Sequence, residues 1–282
     1  MTTEIKRSMT ELKDKEAVKA LVREKYTQIA SRSREQNLSS CCGAGGCSDA
    51  TYTIFSEDYT SLEGYVAEAD LGLGCGLPTE YAGLRPGMTV LDLGSGAGND
   101  VFVARRLVGP EGKVIGVDMT DKMLELARDN AERLGYNNVE FRKGEIEALP
   151  VAANRVDVVI SNCVLNLVPD KQKAFDEIFR VLKPGGSFCV SDVVLGGELP
   201  AGLQEAAEMY AGCVSGAMQK SEYLGVADNA GFDNVEVKKS KPIVIPDDIL
   251  AAYGVLGSDV PLIESITVTG QKPAACCAPG CC

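Results

Sequence analysis

Residues 90–98 read VLDLGSGAG. An apolar run, Val90 to Leu93, leads directly into glycines at 94, 96 and 98. Glycines placed there let the chain turn sharply from a strand into a helix, and they let a ligand approach the backbone. A dinucleotide-binding fingerprint would put its third glycine at position 99, where the chain has Asn99; Gly98 arrives one residue early. The turn therefore predicts a nucleotide-type ligand at a strand end, with Asp92 just ahead of the loop.

Outward from this stretch the pattern repeats. KVIGVDM (113–119), VEFRKG (139–144), VDVVISN (156–162) and SFCVSDVV (187–194) read as further strands. Between them AGNDVFVARRLV, TDKMLELARDNAERLG and KQKAFDEIFRVLK have helical spacing. Strands alternating with helices predict an α/β fold: a Rossmann-like, mostly parallel twisted sheet covered on both faces. Residues 11–30 read as an amphipathic N-terminal helix and 31–50 as a Cys-rich loop, so 1–50 form one unit ahead of a ligand-binding domain at 51–195. The alternation stops after 195. Residues 196–270 read as a smaller C-terminal α+β cap on the sheet end. Residues 271–282, QKPAACCAPGCC, have no large apolar residue to bury and read as a flexible tail.

Composition narrows the chemistry. The 282 residues include 28 Lys plus Arg, 40 Asp plus Glu, 11 Cys, no Trp and no His. Without His, a Ser-His-Asp triad, a Cys-His dyad and an HExxH zinc site are excluded, and proton transfer falls to Asp, Glu, Lys, Tyr or Cys. A net charge of −12 argues against a nucleic-acid or anionic-membrane partner. No apolar run approaches the ~20 residues that span a bilayer, and the N-terminus lacks the apolar core of a secretory signal. These features predict a cytoplasmic protein, in which 11 thiols are not a disulfide framework.

The strand ends carry the remaining cofactor signals. Asp118 ends the second strand, where a carboxylate can bind both ribose hydroxyls. Glu145 follows the third, Asn162 and Cys163 end the fourth, and LKPGG (182–186) introduces the fifth. DLGSGAG, VDM and LKPGG together resemble class I S-adenosylmethionine-dependent methyltransferases over about residues 60–195. The resemblance implies S-adenosylmethionine as methyl donor. It implies cofactor contacts from Asp92, Gly94, Ser95, Gly96, Gly98, Asp118, Met119, Glu145, Ile146 and Asn162.

The cysteines address the acceptor. Cys189 lies inside a strand and reads as core. Cys163 lies at the crevice, and Cys75 and Cys213 sit in Gly-rich segments that can close over it. LGCGLPT, ISNCVLNLVPDK, AGCVSGA and EYLGVADNAGF resemble arsenite S-adenosylmethionine methyltransferases, a match running from about residue 40 to 235. That resemblance implies that Cys163 and Cys213, with Cys75, bind trivalent arsenic. It also implies that Cys75 acts with an N-terminal cysteine, which here is Cys42, Cys41 or Cys47. The implied partners are arsenite or thiol-conjugated arsenite and an external reductant of thioredoxin or glutathione type. Trivalent arsenic is soft and prefers thiolates, and its lone pair needs no general base, which suits a chain without His. Two other readings share parts of this pattern: another small-molecule C- or O-methyltransferase, and a non-enzymatic thiol-rich protein that sequesters a metal or metalloid. Cys276, Cys277, Cys281 and Cys282 read either as an arsenic-capturing arm or as a dispensable extension.

Overall fold

The computed structural model describes residues 15–32, Asn37, 57–204, 213–214, 216–245 and 247–274. The expectations for Cys41, Cys42, Cys47 and the four C-terminal cysteines, and parts of the helices read at 11–30 and 202–211, lie outside these residues.

The glycine-terminated run forms β1 (Thr89–Leu93). It is buried on both faces, as the interior strand of a parallel sheet must be. Leu91 and Leu93 point to one side and Val90 to the other. The neighbouring strands are β2 (Lys113–Asp118), β3 (Val139–Lys143), β4 (Val156–Asn162) and β5 (Leu182–Leu195), all parallel. The helices are α1 (Lys15–Ala30), α2 (Pro78–Tyr81), α3 (Asn99–Val108), α4 (Asp121–Arg133), α5 (Lys171–Val181), α6 (Ala201–Gln204), α7 (Lys220–Asn229) and α8 (Asp247–Ala252). On one face, Val101 and Phe102 of α3 and Met123, Leu124 and Ala127 of α4 pack on Val90, Val114, Val158 and Ile160. On the other, Phe175 and Ile178 of α5 and Tyr223 of α7 pack on Leu91, Leu93 and Val159. The start of α5 is set locally: Asp170 accepts the Lys173 N–H at 3.1 Å, a side-chain N-cap.

The sheet order is β3-β2-β1-β4-β5-β7-β6, where β6 is Asp233–Ile243 and β7 is Ile263–Gln271. This corrects the expected separation of residues 196–270 from the sheet, because two of the sheet's strands come from that stretch. The physical reason is the free edge of β5. β7 pairs antiparallel with it from Ser187↔Gln271 to Leu195↔Ile263, satisfying backbone groups that would otherwise be buried unpaired. An antiparallel return needs no regular crossover helix, so the strand–helix alternation ends before the sheet does. What remains of the stretch packs as an apolar layer in which Leu199, Leu203, Ile245 and Leu250 surround Cys75, Cys163 and Cys213.

Gln271 and Lys272, read as the start of a flexible tail, are instead bonded to the sheet. Lys272 N–H donates to Gly186 O at 2.8 Å, and its ammonium donates to the carbonyls of Phe179 and Leu182 and to Asn154 Oδ1. LKPGG starts β5 with a bulge, the register passing from Val156↔Leu182 to Val158↔Ser187. Among the described residues no helix is long and apolar enough to cross a membrane.

Phe188 on β5 is fully buried, with edge-to-face contacts to Phe175 at 5.6 Å and Phe232 at 4.7 Å between ring centroids. Phe188→Ala should lower stability by about 3–5 kcal/mol with an unchanged denaturant slope, measured by urea unfolding.

Candidate active site

β1 and β4 are adjacent, but β2 follows β1 outward while β4 returns to its other side. The order reverses there, and a crevice opens beyond the carboxyl ends of the strands. It opens to solvent and, with that open space counted, spans about 1120 Å³. The glycine loop forms its floor. Gly94, Gly96 and Gly98 all have positive φ, at 65°, 51° and 99°. The N–H groups of Gly94 and Ser95 both donate to Val117 O, at 2.8 and 3.0 Å, clamping the loop to β2. A Cβ on Gly94 would lie 2.5 Å from a Val164 methyl, so backbone freedom and close approach both require glycine there.

Asp118 ends β2 as expected. Its two oxygens accept the N–H groups of Gly96 at 3.0 Å and Thr120 at 2.8 Å. Burial raises its pKa against those hydrogen bonds. The Thr120 side chain and the Met119 N–H hydrogen-bond to Asp118 as well. Burial also raises Asp92 well above its ordinary value, reinforced by repulsion from Asp100 and Asp118, and lifts Asp100 to about 6. Among the described residues lining the crevice, Lys19 is the one basic side chain. It lies on α1, where it pairs with Glu145 at 2.8 Å and Glu147 at 2.7 Å. Burial opposes its charge, but those two hydrogen bonds carry its pKa above the usual lysine range. Helix α1 thus crosses the crevice, with Val22 and Tyr26 also in its wall. Glu145 follows β3 and lines the crevice, where Lys19 engages it.

The remaining expected cofactor residues, Asp92, Ser95, Met119, Ile146 and Asn162, also line the crevice; Gly98 does not. Ser95 Oγ and Asn99 Oδ1 are buried without a hydrogen-bond partner among the described residues. Unpaired polar atoms beside a glycine cradle are what a nucleoside-bearing ligand with hydroxyl and amino groups would satisfy. The acidic lining suits a ligand carrying positive charge. The residues present therefore fit S-adenosylmethionine.

Asn162, besides lining the crevice, has its side chain engaged within the protein. Its Nδ2 donates to Tyr59 Oη, to Gly76 O at 2.8 Å and to Asp100 Oδ2 at 3.1 Å. Its Oδ1 accepts the N–H groups of Cys75 at 3.1 Å and Gly76 at 3.3 Å. The amide's hydrogen-bonding capacity is taken up inside the protein, and it holds the Cys75 backbone against the crevice wall. Sequence reasoning missed Tyr59 and Asp100. Asp100 had a signal, a carboxylate in the first turn of the helix after the glycine loop; Tyr59 lies in a stretch without periodicity and had none.

Cys75, Cys163 and Cys213 are buried and come together. The Cys163 thiol hydrogen-bonds with those of Cys213 and Cys75, and these contacts, with burial, raise its pKa well above the ordinary value. Burial raises Cys75 as well, opposed by hydrogen bonds from Cys163 and Ser265. Cys163 and Cys213 both sit at positive φ, 59° and 67°, conformations that disfavour a side chain and concentrate at functional sites. Cys213 Sγ donates to Cys163 O at 2.9 Å. Among the described residues no group of three His, Cys, Asp or Glu is arranged to hold a metal ion. A ligand shared by the three thiols requires Cys213 to turn away from that carbonyl. Cys163 alone of the three lines the crevice. Cys189 belongs to the opposite face of the sheet, and burial pushes its pKa up to about 12. Gly94→Ala should destabilise the protein by about 1–2 kcal/mol through the left-handed backbone alone. It should also abolish S-adenosylmethionine binding in calorimetric titration.

A methyltransferase-domain family model matches residues 84–231. The arsenite methyltransferase of Halobacterium salinarum is 46% identical, the match covering 80% of this chain and 60% of that protein. That of Aquipseudomonas alcaligenes is 36% identical, covering 80% and 65%. The chain thus spans 60 to 65% of the length of these two curated relatives. The crystal structure of an arsenic (III) S-adenosylmethionine methyltransferase from Chlamydomonas reinhardtii superposes with a TM-score of 0.63 at 35% identity, over 72% of this chain and 68% of that one. A family match across half the chain makes this chain a member of the methyltransferase-domain family, similar in sequence and structure to an arsenic (III) S-adenosylmethionine methyltransferase.

Proposed function

We propose that this chain transfers methyl groups from S-adenosylmethionine to trivalent arsenic held by Cys163, Cys213 and Cys75. The observation that carries the reading is the meeting of three buried thiols at the wall of a crevice suited to the donor, with Cys163 facing into it.

Arsenite binding exchanges oxygen for sulfur. Each As–S bond forms as an As–O bond breaks, and the thiol proton leaves with the hydroxyl as water. The raised pKa values of Cys163 and Cys75 suit this exchange, since their protons are present to be carried away. Three sulfurs leave the arsenic lone pair free. Bound S-adenosylmethionine supplies an electrophilic methyl group on a sulfonium. Cys163 and Cys213 hold arsenic so that its lone pair faces that methyl, and such orientation can supply roughly 7–11 kcal/mol of the barrier. No proton moves in the transfer, so no base is required. Asp92, Asp100 and Asp118 favour the positive donor over its neutral thioether product, which weakens product binding.

Methylation takes arsenic formally from the trivalent to the pentavalent state. The Cys42 thiolate attacks the Cys75 sulfur, the Cys75–arsenic bond breaks and leaves its electron pair on arsenic, which returns to the trivalent state; the Cys42–Cys75 disulfide so formed is reduced again by an external thiol carrier of thioredoxin or glutathione type. Arsenite or a thiol conjugate of it is the acceptor, and the reducing cytoplasm is the setting.

Incubation with methyl-labelled S-adenosylmethionine should give arsenite-dependent label transfer. Cys163→Ser should lower that transfer by about a hundredfold or more, on the scale of a misplaced reacting centre, with donor affinity unchanged. Full activity in this variant would remove the assignment.

The donor should also bind with a characteristic pH dependence. Asp100 holds its proton up to about 6, and Asp92 also titrates above its ordinary value. A cationic ligand favours the ionised carboxylates, so binding releases protons and affinity rises as pH increases through this range. Calorimetry from about pH 5 to 7.5 should show the dissociation constant falling, by at most about tenfold per pH unit for each proton released. S-adenosylhomocysteine, which lacks the sulfonium, should show a smaller change.

A further inference from the structure

Cys213 reaches Cys163 through a buried polar hub that the reaction itself does not use. Asn166 lies in the 3₁₀ turn Leu165–Leu167, three residues after Cys163, and is wholly buried. Its Nδ2 donates to Val193 O at 2.6 Å and to Cys213 O at 3.3 Å. Its own backbone is held by opposite charges. Lys171 Nζ donates to its carbonyl at 3.3 Å, and its N–H donates to Asp192. Asp192 also accepts Tyr223 Oη and the Val193 N–H, both at 3.2 Å. The turn after β4, the end of β5, α5, α7 and the Cys213 segment therefore converge on the pair Asn166 and Asp192.

Among the described residues, Asn166 Oδ1 has no hydrogen-bond partner. A half-satisfied amide in the core is a poor choice for stability, since a volume-matched apolar residue would avoid the desolvation of that oxygen. What the amide provides and an apolar residue cannot is the N–H that fixes the Cys213 carbonyl. Cys213 needs such a hold because its backbone is in the left-handed region, at φ 67°.

We propose that Asn166 is a positioning residue that sets Cys213 against Cys163 and thereby creates the arsenic-binding thiol pair. This rests on the function proposed above. Its test uses Asn166→Leu and Asn166→Ala in the full chain, with arsenite binding by equilibrium dialysis, S-adenosylmethionine binding by calorimetry, thermal melting and steady-state kinetics. Both variants should bind arsenite at least tenfold more weakly and raise its KM by a similar factor. Donor affinity should stay unchanged, and the melting temperature of the Leu variant should match or exceed wild type. Unchanged arsenite affinity would overturn the proposal. So would equal loss of both ligands, or failure of both variants to fold, which would make Asn166 a support of the whole domain. Wild-type protein that neither binds nor methylates arsenite would instead refute the function, and that control is read separately.

Discussion

Parallel pairing of β1 with β4 places Leu93 beside Ser161, so that the glycine loop and the Asn162–Cys163 pair leave the sheet at the same level. Both halves of the site follow from that register. The loop after β1 makes the floor of the donor crevice, and the residues after β4 make the wall through which the thiols reach it. A shift of one residue would turn Cys163 to the other face, because side chains alternate across a strand. The register is held by core residues on both sides of the sheet, Leu91 and Val159 on one and Val90 and Ile160 on the other.

Within that frame two asparagines divide the work. Asn162 binds the Cys75 backbone on one side and Tyr59 and Asp100 on the other, so the donor crevice and one thiol share a residue. Asn166, one turn later, does the corresponding job for Cys213. Neither amide is placed to react. Their hydrogen bonds set backbone carbonyls and N–H groups, and through them the sulfurs. The acidic crevice is the electrostatic counterpart: buried carboxyl groups that repel one another bind a cation more readily than its neutral product.

Much of this was legible before any coordinates. Spacing alone predicted five parallel strands and their helices, because a strand buried on both faces needs a continuous apolar run and a covering helix needs a 3.6-residue stripe. Asp118, Glu145 and Cys163 were marked by standing at strand ends. The C-terminal strands were read as a separate cap because nothing in VEVKK or ESITVTG states which edge they join. Strand partners are chosen by unpaired backbone groups elsewhere in the chain, which the local pattern does not carry.

The sequence by itself therefore determined the α/β class, the turn that requires glycine, the absence of histidine chemistry and the supply of thiols. These are properties of residue type and spacing. Only the tertiary structure decided which cysteines meet. Cys189 is as apolar in its context as Cys163, yet one faces the core of the opposite layer and the other the crevice. Tertiary structure also decided that Asn162 serves Cys75, that Lys19 of α1 engages Glu145, and that Asn166 holds Cys213. Each of these joins positions far apart in the chain or turns on the direction of a side chain, and both are settled when the layers pack.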